Sequence, residues 1–522
     1  MSKKDFDLTR REFLLKSTLL SASAATTPFA MNLFAMNAAL ASTYTATGDY
    51  KALVCVYLAG GNDHNNMVLA TDGPSMQGYQ KARSIGGGAT IALPQANLLP
   101  LSVTKTDSVG ARTFALHPNM TPMQTLFEGG RAAIIANVGP LLRPIPDKTS
   151  TYKSIPRPAN LFSHSDQTVQ WQSTDTNKKN YGWGGRMADL IKLSNPLAQN
   201  FTCLSLSGNT AFLAGETISQ YQINSNGSPV AISGVGGFDN LFGSSGNVLQ
   251  PIVQNLSLSN NFELEHAAVV DRAIKAQSNL TTVMSATATT VTAPTQYQNP
   301  NQPIGTLSTN NFAKQLQTVA RIIAGRNTLG AHRQVFFVAL GGFDTHDGQA
   351  PSQADLMARL SHAAKYFDDE LSKSTFPGGA VADQVTLFTA SDFGRTFTSN
   401  GDGTDHGWGS HHFVVGGAVR GKDIYGAFPM TAVTGPAGTV NGVTYPAFDN
   451  PLDVGSGNFI PQVSVDQYSA TMAKWFGLTA GPGSEIASVF PNLTYFDPAA
   501  TGNLGFYGSK DLGFMKDPIT NL

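Results

Sequence analysis

The chain has 522 residues, 13% of them charged and 41% apolar, with a formal net charge of −1. That balance gives no basic face for nucleic acid and no acidic tail, and leaves ample apolar material for a large core. The two cysteines, Cys55 and Cys203, both fall in strand-like apolar runs and read as buried thiols rather than a disulfide or a zinc motif.

Residues 1–41 read as a targeting segment. Thr9-Arg10-Arg11-Glu12-Phe13-Leu14 matches the twin-arginine export pattern, a moderately apolar stretch runs from Leu19 to Leu40, and Ala39-Leu40-Ala41 offers a cleavage site before Ser42. Ser, Thr, Pro and Asn interrupt the apolar stretch, which argues against a spanning helix, and no later segment is long and apolar enough for one. The expectation is a protein exported folded through the twin-arginine machinery to the periplasm or beyond. Residues 42–522 then form one α/β domain with a loop-rich insertion near 200–310.

Ala52–Leu58 is an apolar strand-like run that ends in Ala-Gly-Gly-Asn-Asp63-His64. A loop-rich stretch is expected from there to Val109. Met120, Met123, Leu126 and Phe127 are spaced for a helix stopped by Gly129-Gly130, and Ala132–Val138 is the next strand. A loop with five prolines follows and delivers Phe162-Ser163-His164-Ser165-Asp166 to a helix running through Trp171. Tyr181–Arg186 opens another helix. Thr281–Asn310 has little to bury and reads as a mobile loop or linker. Phe312 to Ile323 is an amphipathic helix. Val335–Leu340 is a strand ending in Gly-Gly-Phe-Asp344-Thr-His346, and Ser352–Asp355 reads as a capping box for the helix after it. Val385–Thr389 is a further strand, ending in Ala-Ser-Asp392-Phe393-Gly394-Arg395. Past a Gly-rich loop come Asp405, His406, His411 and His412.

Three strand-like runs therefore each end in a short turn and an Asp. If the strands are parallel in one sheet, Asp63, Asp344 and Asp392 share an edge, where α/β proteins place their sites. Clustered carboxylates with nearby imidazoles require a cation. Alternatively, each Asp caps the helix that follows it. Ser163 or Ser165 at a helix start can be a cap or a nucleophile beside anion-holding backbone N–H groups. His117, before Pro118, reads as a packed histidine.

Ala59-Gly-Gly-Asn-Asp63, Leu116-His-Pro, Ser163-His164, Gly182-Trp-Gly-Gly-Arg186, Gly341-Gly-Phe-Asp-Thr-His346, Ser391-Asp-Phe-Gly-Arg-Thr396 and Gly403-Thr-Asp-His406 together resemble the domain of unknown function 1501 family. That family in turn resembles the alkaline phosphatase and sulfatase superfamily. The resemblance implies a three-layer α/β/α sandwich with a mostly parallel sheet. It also implies a divalent metal (Zn, Ca, Mg or Mn) at the strand ends, held by Asp63, Asp344, His346, Asp392 and His406. The nucleophile position falls on Ser163 or Ser165, while His164, His411 or His412 would serve as general acid and Arg395 would hold a non-bridging oxygen. Arg395 reads equally as a structural ion pair. Phe393 stands where the phosphatases carry a histidine, and no cysteine has the Cys-x-Pro-x-Arg context of a formylglycine sulfatase. The expected function is metal-dependent hydrolysis of a phosphate or sulfate ester, on a small molecule or a polysaccharide. The alternative is a non-catalytic exported binding protein on the same scaffold.

Overall fold

The computed structural model describes residues 50–516, apart from 85–89, 105–111, 150–151, 175–179, 196–197, 225–227, 229–260, 433–437, 441–442, 446–449 and 498–509. The twin-arginine pair and the cleavage site lie outside the described residues.

A nine-stranded sheet organises the chain. Its strands are β1 (Lys51–Ala59), β2 (Ala132–Gly139), β3 (Cys203–Ser205), β4 (Tyr221–Gln222), β5 (Arg333–Gly341), β6 (Val385–Ser391), β7 (Ser410–Val415), β8 (Ile424–Tyr425) and β9 (Val463–Ser464). The spatial order is β8-β2-β7-β6-β1-β5-β3-β4, with β9 paired to the far end of β2. β7 runs antiparallel to both of its neighbours, and every other pairing is parallel. The centre is therefore β6-β1-β5, three adjacent parallel strands in register from Ala52 onward. Both faces of β1 are buried, as a central parallel strand requires. Ala52, Val54, Val56 and Leu58 pack on one side with helices α2 (Thr121–Glu128), α6 (Asn311–Ala324) and α7 (Gln349–Ser372). Leu53, Cys55 and Tyr57 pack on the other with α3 (His164–Ser173), α4 (Trp183–Ile191) and α8 (Val465–Phe476). Helices thus cover both faces of a mixed, mostly parallel sheet. Cys55 and Cys203 are buried and free. Among the described residues no helix is long and apolar enough to cross a membrane.

Three expectations need correction. The stretch after Asp63 is not all loop: it holds helix α1 (Gly73–Arg83), capped by Asp72, and a three-stranded sheet of Val68–Ala70, Leu99–Leu101 and Phe114–Leu116. Within the insertion near 200–310, the short strands β3 and β4 extend the edge of the main sheet beside β5. The 281–310 stretch begins inside helix α5 (Asn261–Ala286) and is then fastened to α7. Tyr297 donates to Asp355 at 2.5 Å, and Tyr366 donates to the Thr292 carbonyl at 2.6 Å. Ser352 caps nothing, since α7 already starts at Gln349 after left-handed Gly348. Asp355 instead pairs with Arg359 one turn on.

Candidate metal centre

Parallel pairing puts the C-terminal ends of β1, β5 and β6 side by side, so Asp63, Asp344 and Asp392 leave the same sheet edge. The turn after β1 must run very close to its neighbours. Gly60 and Gly61 hold φ of +115° and +82°, and a Cβ on them would come within 2.4 Å of the Asp344 nitrogen and of the Phe393 ring, respectively. Ser391 closes this end of the sheet by donating to the Leu58 carbonyl while accepting from the Asn62 N–H.

Asp344 is the centre of the group. His164 Nε2 lies 3.5 Å from its Oδ2, while His346 Nε2 and His406 Nε2 lie 3.1 Å and 3.4 Å from its Oδ1. His164, Asp344 and His406 each turn one potential ligand atom into a space under 4.8 Å across. His346 Nε2 is 2.9 Å from His406 Nε2. The opposite nitrogen of each ring decides which tautomer is present. His406 Nδ1 faces the Phe162 carbonyl at 2.8 Å, and a carbonyl only accepts, so Nδ1 carries the hydrogen. His164 Nδ1 faces Asp392 Oδ2 at 2.7 Å, and His346 Nδ1 faces Asp405 Oδ1 at 3.4 Å. In the neutral rings the Nε2 lone pairs of His164 and His406 then converge on one carboxylate, while His346 Nε2 donates to His406 Nε2. His164 Nε2 is buried with no hydrogen-bond partner. Burial, only partly opposed by the Phe162 carbonyl, lowers the pKa of His406, with help from the neighbouring His164, Arg395 and His346, and favours its neutral, lone-pair form.

Arg395 is fully buried under this group. Its guanidinium donates to Asp344 Oδ1 and the Gly60 carbonyl, both at 3.0 Å, and to the Thr404 carbonyl and hydroxyl. Burial would raise the pKa of Asp344, but the Arg395 hydrogen bond and charge, with His164 and His346, hold it below the usual carboxylate value. Phe393, buried, packs its ring at 4.7 Å from that of His164 and 4.5 Å from that of His406. An apolar wall therefore fixes two imidazoles.

The predicted residues separate into three sets. Asp344, His346, His406 and His164 are brought together, His164 as a potential ligand rather than the expected general acid. Asp392 supports the group from behind: Oδ2 takes the His164 hydrogen and Oδ1 accepts from the Gly60 N–H at 3.2 Å. Asp63 is not free to join it. Arg83 grips both of its oxygens at 2.6 and 2.9 Å, Gln349 donates to Oδ2 at 2.5 Å, and the pair is fully buried. Burial alone would raise the Asp63 pKa, but the Arg83 charge and hydrogen bonds outweigh it and leave the carboxyl below its ordinary value. Arg395 has every guanidinium nitrogen engaged inside the protein, which is the structural ion pair rather than an oxygen clamp. The Ser163 hydroxyl turns to Asp166 at 2.7 Å and lies 3.3 Å from that of Ser165, on the exposed side of the helix start. His411 accepts from the Asn137 N–H, and His412 lies on Thr389 against Trp171; both are buried away from the group.

Sequence reasoning missed Arg83, Gln349 and Thr404. Gln349 donates to Asp63 and accepts from the Thr404 hydroxyl at 2.6 Å, so a continuous chain links Arg83, Asp63, Gln349, Thr404, Arg395 and Asp344. Asp405 had a signal, being the carboxylate beside His406. Arg83 had none.

The sequence profile of DUF1501, described as a protein of unknown function, matches residues 50–444. The chain belongs to the DUF1501 family. That match includes every residue of the group above. No curated protein matches the chain.

Proposed function

We propose that this DUF1501 member is an exported, metal-dependent hydrolase of anionic esters, phosphate or sulfate. The observation that carries the reading is the convergence of the His164 and His406 Nε2 lone pairs on Asp344 at the sheet edge. Neither nitrogen can donate to the Asp344 carboxylate it faces, so a cation among them would satisfy all three groups. His164, His406 and Asp344 would hold a divalent ion, and the unpartnered buried nitrogen of His164 is what such an ion would satisfy. When bound, a metal polarises an ester oxygen and acidifies a coordinated hydroxyl or water.

The chain's own residues do the positioning. Asp392 and the Phe162 carbonyl each hold one ring so that Nε2 faces inward, the outer-shell arrangement found behind metal-binding histidines. Arg395 fixes the Asp344 carboxylate from below. The Asp344 side chain is 48% exposed and that of His346 40%, so substrate and water enter from one open side. His164 begins α3, whose N-terminal partial positive charge favours an anion there. Export rests on the twin-arginine motif.

The test is turnover of a panel of aryl phosphate and sulfate esters by metal-loaded mature protein. Turnover should disappear with chelation and in Asp344→Ala, and should persist in Ser163→Ala, whose hydroxyl is turned to Asp166. A metal-loaded wild type inactive across the panel would overturn the hydrolase reading in favour of an exported binding protein.

A further inference from the structure

Resting on that reading, we propose that the site takes a single ion of the imidazole-favouring transition-metal class, and that two arginines supply the rest of the positive charge the strand-end carboxylates need. Three carboxylates leave one sheet edge, yet each has a different counterpart. Asp63 is matched by Arg83, bidentate and wholly buried, with Gln349 on the same oxygen and the Asn65 N–H on the other. This geometry leaves Asp63 no direction open to an ion, and displacing the guanidinium would strand a buried charge. Asp392 is matched by the His164 N–H. Only Asp344 faces unprotonated nitrogens, and even there one quadrant of Oδ1 belongs to Arg395. The space that a second ion would need next to Asp63 and Asp344 is therefore filled by guanidinium groups that the Gln349–Thr404 bridge holds in register.

What remains is a nitrogen-rich donor set of two imidazoles and one carboxylate, with His346 hydrogen-bonded beside it. Such sets suit zinc and its neighbours; calcium and magnesium prefer oxygen ligands. The arginines thus make the site selective as well as single: they occupy the carboxylates that a hard cation would use.

Equilibrium dialysis of the mature protein against Zn²⁺, Ca²⁺ or Mg²⁺ alone, followed by elemental analysis, tests this without reference to turnover. The expected result is a single zinc per chain and no stoichiometric calcium or magnesium. Asp63→Asn should keep the zinc, and because that variant leaves Arg83 unpaired, the double variant Asp63→Asn with Arg83→Gln is the control for folding. It should still bind one zinc per chain, weakened by no more than roughly tenfold, because Asp63 touches none of the ligands but shares one hydrogen-bond network with Asp344. His164→Ala and His406→Ala should weaken binding at least tenfold, in line with the loss of about 10–100-fold seen when metal-site partners are removed. Two zinc ions per chain, loss of zinc in the folded double variant, stoichiometric calcium in place of zinc, or no metal at all would each overturn the inference. Zinc bound as expected but with no ester turnover would overturn the hydrolase reading alone.

Discussion

His164 shows how much a single side chain depends on its neighbour. Its Nε2 has a ligand's direction only because Asp392, 2.7 Å away, holds the hydrogen on Nδ1. In Asp392→Asn that constraint weakens and the ring is free to present the other tautomer. Metal affinity should fall about 10–100-fold, measured by competition with a chromophoric chelator, while the thermal midpoint stays near wild type. Unchanged affinity would mean that Asp392 positions nothing. Asp63 shows the reverse case. Its place after an apolar run made it look like a ligand, and the run and the Asp were legible. Its partner was not, because Arg83 lies 20 residues on, across a turn and at the end of a helix whose sequence lacks a strong apolar stripe. An Asp reads the same in sequence whether a metal or a guanidinium meets it.

The elements that make the site are the turns after β1, β5 and β6. Their glycine and serine punctuation was readable, and so was the parallel pairing that aligns them, since strand–helix–strand spacing favours parallel neighbours. The closeness of the turns was not. Gly61 at φ +82° lies against the Phe393 ring, and Phe393 in turn walls His164 and His406. Gly61→Ala combines a strained backbone with a clash at 2.4 Å, so it should cost about 1–3 kcal/mol in urea unfolding and weaken metal binding as well. A variant as stable as wild type would show that the turn is looser than described. The 281–310 stretch was misread for a related reason. Its composition is that of a linker, but Tyr297 and Thr292 each find a distant partner on α7, and composition carries no record of such bonds.

At the scale of the molecule, both faces of the sheet are dry, and several histidines are sealed in neutral form. Burial lowers His64 and His117 to about 4 and His412 to about 3, and pushes His411 well below its ordinary value. The unfolded chain binds these protons near pH 6.5 while the folded chain refuses them, so stability is full above about pH 6.5 and falls as pH drops toward 4. Each such group contributes up to about 1.4 kcal/mol per pH unit in that window. Asp63 adds a loss of the same sign at lower pH, once its carboxyl protonates and leaves Arg83 unpaired. The urea midpoint should therefore drop steeply between about pH 7 and pH 4.5. A flat profile would contradict the burial of these rings.

The function proposed here turns on a metal ion held by His164, Asp344 and His406. Anomalous diffraction from crystals grown with Zn²⁺, recorded on both sides of the zinc edge, tests it most directly. A strong peak is expected about 2.0–2.2 Å from the ligating nitrogen and carboxylate atoms of this group, with none at Asp63. A peak on Asp63 with Arg83 displaced, or no peak within reach of Asp344, would contradict it.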